Sequence, residues 1–319
     1  MNKKGILIIF ICLFAIMESA CDEALVPAKV SQTTGSFSDV PPSFGGIGAR
    51  DSSPKCLVPS QDGDVVFGNE AVSIDASQVA HGYISVRYLG AKEDARFRIT
   101  GSDQITYNYQ LNNDYSILPL SCGTDDYLLE LYENLEGRSY LKLYSDTIHF
   151  QIDYEFDPWL YPNQYCDFNS ETKSVKKAEE LARSAGSDLE VVTSVYNHVI
   201  TTYSYDYNKA DTVKSGYVPV LDDVYDAQCG ICLDFSSIMC SMLRSQGIPT
   251  RIETGYVDAE VFHAWISVYL KEIGWVNGII EFDGKNWKMM DPTFAADLKE
   301  KDLKKYIGNG TRYQTKYIY

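Results

Sequence analysis

The stretch Gln228–Tyr256, QCGICLDFSSIMCSMLRSQGIPTRIETGY, decides the reading of this chain. A tight turn at Gly230 leads into a helix predicted from about Cys232 to Ser245, with Phe235, Ile238, Met239, Met242 and Leu243 along one apolar stripe. Gly247 stops that helix and Pro249 prevents its continuation, so Thr250 to Tyr256 reads as a strand. Cys232 therefore falls at the helix N-terminus. There the dipole and the free N–H groups stabilise a thiolate and offer donors to a developing oxyanion.

Working outward, His263 opens a second strand, HAWISVYL. Alternation puts His263, Trp265, Ser267 and Tyr269 on one face and Ala264, Ile266, Val268 and Leu270 on the other. Lys285 to Pro292, KNWKMMDP, reads as a third strand ending at Asp291. Neighbouring antiparallel strands would set His263 beside Asp291. A thiolate, an imidazole and a carboxylate that orients it form the general arrangement for acyl transfer.

These residues resemble the transglutaminase-like superfamily of papain-like cysteine enzymes. The resemblance rests on GICLDFSSIMCSMLRSQGIPTRIETGY, then HAWISV, then GW and the W-x-x-x-D-P-T run from Trp287 to Thr293. The order Cys, His, Asp is the family's, with 31 positions from Cys232 to His263 and 28 from His263 to Asp291. It covers about Lys173 to Ala296. It implies an α+β fold in which a cysteine-bearing helix packs on an antiparallel sheet. By the same resemblance Cys232 is the nucleophile, His263 the general base and acid, and Asp291 its orienter. Gln228 matches the upstream glutamine that papain-like enzymes use at the oxyanion, against the plainer reading of a loop amide. Whether members of the family cross-link, hydrolyse or deamidate is not set by the triad.

Other residues read as structural. Asp234 is a hydrogen-bond partner early in the helix, Trp265 and Trp287 are core or cleft wall, and His81, His149 and His198 have no matching partners. Cys229 and Cys232 form a C-x-x-C, but a zinc site needs two further ligands at comparable spacing and a thioredoxin-type motif needs a βαβ unit. What remains is Cys229 as a redox partner whose oxidation would join it to Cys232 and silence the nucleophile. No D-x-[DN]-x-[DN]-G loop supports calcium, and nothing specifies a metal or cofactor.

The rest of the chain surrounds this region. Residues 1–20 carry Lys3 and Lys4, then the apolar run GILIIFICLFAIM, and read as a secretory signal too short to span a bilayer. Cys21 follows Ser19 and Ala20 as in a bacterial lipoprotein, although Glu18 departs from that pattern. Residues 21–64, rich in Ser, Gly and Pro, read as a flexible tether. Residues 65–152 alternate with period two between turn signals, and about seven short strands argue an all-β sandwich preceding the C-terminal domain. Its Tyr-rich faces read as half-buried strand surface or, less simply, as a sugar or peptide site. Residues 153–172 read as a packed connector, and 173–319 as the transglutaminase-like domain. That domain begins with a helix through Val175 and Leu181, then a second capped by Ser187, then a polar loop from Asn208 to Asp223.

Composition narrows the partners. The 319 residues contain 28 Lys and Arg against 44 Asp and Glu, a net charge of −16. That balance excludes a basic nucleic-acid footprint and a basic lipid patch. It leaves membrane contact only through a lipid at Cys21. The expectation is an exported, surface-anchored or secreted thiol enzyme. It forms a Cys232 thioester with an amide carbonyl of a protein or cell-wall peptide and then hydrolyses it. The alternatives are transfer to an amine, as in a cross-linking transglutaminase, and a non-catalytic binding lipoprotein.

Overall fold

The computed structural model describes residues 50–257, 259, 261–271, 274–277, 280–282, 287–289 and 313–319. The N-terminal half contains eight strands: β1 Val66–Gly68, β2 Val72–Asp75, β3 Tyr83–Tyr88, β4 Ala95–Thr100, β5 Thr106–Leu111, β6 Ser116–Pro119, β7 Asp125–Glu136 and β8 Ser139–Phe150. They form two antiparallel four-stranded sheets, ordered β1-β2-β3-β6 and β5-β4-β7-β8. Alternate positions such as Phe97 and Ile99, or Leu129 and Leu131, are fully buried, so the period-two pattern builds a sandwich core.

The C-terminal half runs α1 Lys173–Ala182, α2 Asp188–Thr202, β9 Ser204–Tyr205, α3 Tyr207–Thr212, α4 Leu221–Ala227, β10 Cys229–Gly230, α5 Cys232–Arg244, β11 Thr250–Val257, β12 Val261–Leu270, β13 Gly274–Asn277, β14 Ile280–Phe282, β15 Trp287–Met289 and β16 Tyr313–Ile318. A four-stranded antiparallel sheet, β13-β12-β11-β16, lies against α5, while α1, α2 and α4 pack on the same helix. The fold is thus α+β, a cysteine-bearing helix on an antiparallel sheet, preceded by a β-sandwich.

Four local expectations change. First, α5 is buried around its whole circumference rather than along one stripe, because helices cover the side away from the sheet. Its small polar residues permit that close approach: Ser241 shares a 2.7 Å hydrogen bond with Ser174 of α1 and donates to the Ile238 carbonyl. Second, the polar stretch from Asn208 to Asp223 is not all loop, since α3 and the start of α4 lie within it. Asp206 caps α3 by accepting from the Lys209 N–H at 2.9 Å. Third, β13 is the strand paired with β12, whereas β15 pairs with β14 in a separate hairpin. The expected adjacency through a Lys285–Pro292 strand is therefore not carried by the β12 ladder.

The fourth change concerns residues 50–64, read as part of a tether. Arg50 donates to Asp188 and to Gln246, Lys55 N–H to the Ser245 carbonyl, and Ser60 N–H to the Tyr83 hydroxyl. These residues form a strap along both halves, held by specific polar bonds that composition does not reveal. The connector is also pinned. Arg244 donates to the Tyr161 carbonyl, and the Cys166 thiol lies 3.6 Å from the Ser237 carbonyl. Tyr107 and Tyr109 of β5 pack edge-on against Tyr319, and Tyr107 also meets Tyr317. That Tyr-rich strand face is interdomain core.

Candidate active site

Cys232 is the first residue of α5 and is only 4% exposed. The turn before it is built by three features. Gln228 ends α4 in the left-handed region at φ 47°, and its carbonyl accepts from the Ser204 N–H at 3.0 Å. Cys229 and Gly230 pair in parallel with Ser204 and Tyr205. Gly230 leaves room for Asp234, since a Cβ there would stand 2.7 Å from the Asp234 side chain.

Asp234, in the first turn of α5, is fully buried. Its Oδ2 accepts from the Ile231 N–H at 2.8 Å and from Lys209 Nζ at 2.6 Å, and its Oδ1 accepts from the Tyr217 hydroxyl at 2.6 Å. Lys209 also donates to the Tyr217 oxygen and stands 4.4 Å from the centre of that ring. A buried carboxylate is tolerable only when it is paired and its lone pairs are used, and here both conditions hold. Burial first, then the bond to Asp234, push the Tyr217 hydroxyl well above the ordinary tyrosine range. Asp234 thus fastens the segment carrying α3 to the end of α5 that bears Cys232. Sequence reading gave Asp234 a structural bond but did not find Lys209 or Tyr217. They lie 25 and 17 positions upstream with no spacing signature.

His263 is the third residue of β12, also 4% exposed, and its ladder partner on β11 is Gly255. On the other side of β11 the pairing with β16 slips between Thr254 and Gly255. A Cβ on Gly255 would lie 2.0 Å from the Gln314 carbonyl oxygen, so the bulge requires glycine opposite His263. Below His263 on the same sheet face, Trp265 packs at 5.1 Å against Tyr313, and Glu253 accepts from the Ser267 and Thr315 hydroxyls. The opposite residues, Ala264, Ile266 and Val268, enter the apolar cluster that contains the core of α5.

The structure therefore places Cys232 on the helix that packs against the strand of His263. Asp291 lies outside the described residues. The Gln228 side chain is exposed, and Cys229 is a half-buried free thiol lining a pocket of about 340 Å3 with Asp206, Lys209 and Val220. His81 bonds Asp157 and stacks on Tyr154, His149 bonds Asp126, and His198 meets Thr202, each a local structural contact.

Residues 175–278 match the sequence model of the Transglutaminase-like superfamily. This part of the chain is a transglutaminase-like domain. The match spans α1 through β13, including Cys232, His263 and the Asp234 network. A protein-glutamine gamma-glutamyltransferase of Pseudomonas aeruginosa is 24% identical over 154 residues, 43% of this chain and 20% of that protein. The uncharacterized protein YebA of Bacillus subtilis is 34% identical over 70 residues, 17% of this chain and 10% of that protein. This chain therefore spans a fifth or less of those relatives. The periplasmic domain of TgpA from Pseudomonas aeruginosa, solved with ethylmercury, is 14% identical with a TM-score of 0.35, covering 79% of this chain and 88% of that one. Among the described residues no helix is long and apolar enough to cross a membrane.

Proposed function

We propose that the transglutaminase-like domain is a thiol enzyme that cleaves amide bonds through Cys232. The observation that carries this reading is the seating of Cys232. It begins a buried helix whose first turn is tied down by Asp234, Lys209 and Tyr217, and that helix lies on the strand bearing His263. In this reading His263 takes the Cys232 thiol proton, the thiolate attacks an amide carbonyl, and the first-turn N–H groups, with Gln228 as a further donor, hold the oxyanion. His263 then gives the proton to the departing amine as the C–N bond breaks, leaving an acyl thioester on Cys232. Water, deprotonated by His263, attacks the thioester, releasing the acid and restoring the thiol. Asp291 orients the imidazole.

The substrate class is a protein or peptide at the cell surface, including cell-wall peptides. Export through residues 1–20 and a lipid anchor at Cys21 belong to the same proposal. Amine transfer is the neighbouring outcome, because a thioester accepts either nucleophile. The experiment is to incubate the protein with glutamine-containing and wall-derived peptides, with and without a primary amine, and to read Cys232 by intact-mass spectrometry. A peptide-sized adduct on Cys232, absent in Cys232→Ala and discharged by water, supports hydrolysis. Discharge only when amine is present moves the assignment to transfer, and no adduct with any peptide overturns both.

A further inference from the structure

Arg251, on β11, pairs in the ladder with Ser267 and so shares the sheet face of His263. Its guanidinium carbon lies 3.6 Å from the centre of the Trp275 ring and 4.6 Å from that of Trp159. Nε is buried without a hydrogen-bond partner, and no acceptor among the described residues takes a bond from the rest of the group. Burial, opposed by Glu253 and Glu155, pushes the guanidinium down to about 10, so it stays charged at neutral pH. Nε is thus unpaired in the interior, while the terminal nitrogens, not buried and without an acceptor among the described residues, are left for an incoming group, and their planar fork suits a carboxylate held by two parallel bonds.

The group opens on a pocket of about 340 Å3 between the two halves. That volume sits at the lower end of the roughly 300–1,000 Å3 typical of small-molecule sites. Leu120, Ile152 and Pro158 give it apolar walls. Asp153 and Glu155 also line it, both exposed and neither bonded to Arg251. One pocket thus offers an unused cationic fork and, separately, two carboxylates. A simple anion would leave the carboxylates repelling it, whereas a molecule with both charges satisfies each end.

We propose that this pocket binds a small zwitterion, a free amino acid or dipeptide, with its carboxylate on Arg251 and its ammonium on Asp153 and Glu155. The site is separate from Cys232 and does not depend on the amide-cleaving reading. The test is calorimetric titration of the full chain carrying Cys232→Ser, so that turnover adds no heat, with alanyl-alanine, acetate and ethylamine as probes. Saturable binding of alanyl-alanine is expected, with acetate and ethylamine each at least tenfold weaker. Asp153→Asn with Glu155→Gln, both at exposed positions, should weaken alanyl-alanine at least tenfold without weakening acetate. Arg251→Gln should abolish binding, with its urea midpoint checking that it folds. If that variant does not fold, the acidic pair decides alone. Absence of saturable binding, acetate matching alanyl-alanine, or no effect of the acidic pair would overturn the proposal and leave Arg251 as a latch between Trp159 and Trp275.

Discussion

At the C-terminal end of α5, Arg244 is fully buried and gives its donors to three backbone carbonyls, those of Thr250, Tyr161 and Tyr319. At the N-terminal end, Asp234 is equally buried and takes one backbone N–H, that of Ile231, but its other partners are the side chains of Lys209 and Tyr217 on a segment nearer the surface. Lys209 itself is 26% exposed. One end ties together the connector, the sheet and the helix through backbone that cannot be substituted away. The other ties the cysteine turn to a segment that sequence change can reach. The difference separates two tasks, since the Arg244 end holds the domain together and the Asp234 end sets the geometry around Cys232.

Substitutions at each end would break this contrast or sharpen it. Arg244→Ala orphans three buried carbonyls and should cost about 3–5 kcal/mol of stability, read as a shifted urea midpoint. A loss below about 1 kcal/mol would put the two ends on the same footing. Asp234→Asn keeps the shape but leaves Lys209 without its anion, and should cost about 2–3 kcal/mol while also slowing alkylation of Cys232. Gly230→Ala drives a methyl into the Asp234 side chain and should cost about 1–3 kcal/mol, with the same loss of Cys232 reactivity. Ser187→Ala removes the cap on α2, where the hydroxyl accepts from the Glu190 N–H at 3.2 Å, and should cost about 1 kcal/mol. It should leave Cys232 reactivity untouched, which makes it the control for general destabilisation.

What could be read in advance follows from which signals are local. The helix of Cys232, the strands of Ile252 and His263, and the cap at Ser187 are all written in short-range periodicity and turn chemistry, and they stand where expected. The alternation of residues 65–152 likewise announced a sandwich, although its division into two four-stranded sheets came only from the pairing. The strap through Arg50 and the Lys209–Asp234–Tyr217 network join residues far apart in sequence, and no periodicity encodes such pairs. The pairing of β13 with β12 escapes the sequence pattern for a related reason. Gly274–Asn277 is a short apolar run close to a turn, weaker as a strand signal than KNWKMMDP, yet its position directly after β12 makes it the hairpin neighbour.

The most direct measurement is iodoacetamide labelling of the reduced protein across pH, read for each cysteine by mass spectrometry, in the wild type and in His263→Ala. Burial pushes the thiols of Cys56, Cys122 and Cys166 up, Cys122 to about 12 with Asp103 adding to it, so these should stay protonated and react slowly near neutrality. The account predicts that Cys232 labels fastest below pH 8 and that His263→Ala removes this advantage. Labelling of Cys232 no faster than Cys56, or unchanged by the loss of His263, would contradict it.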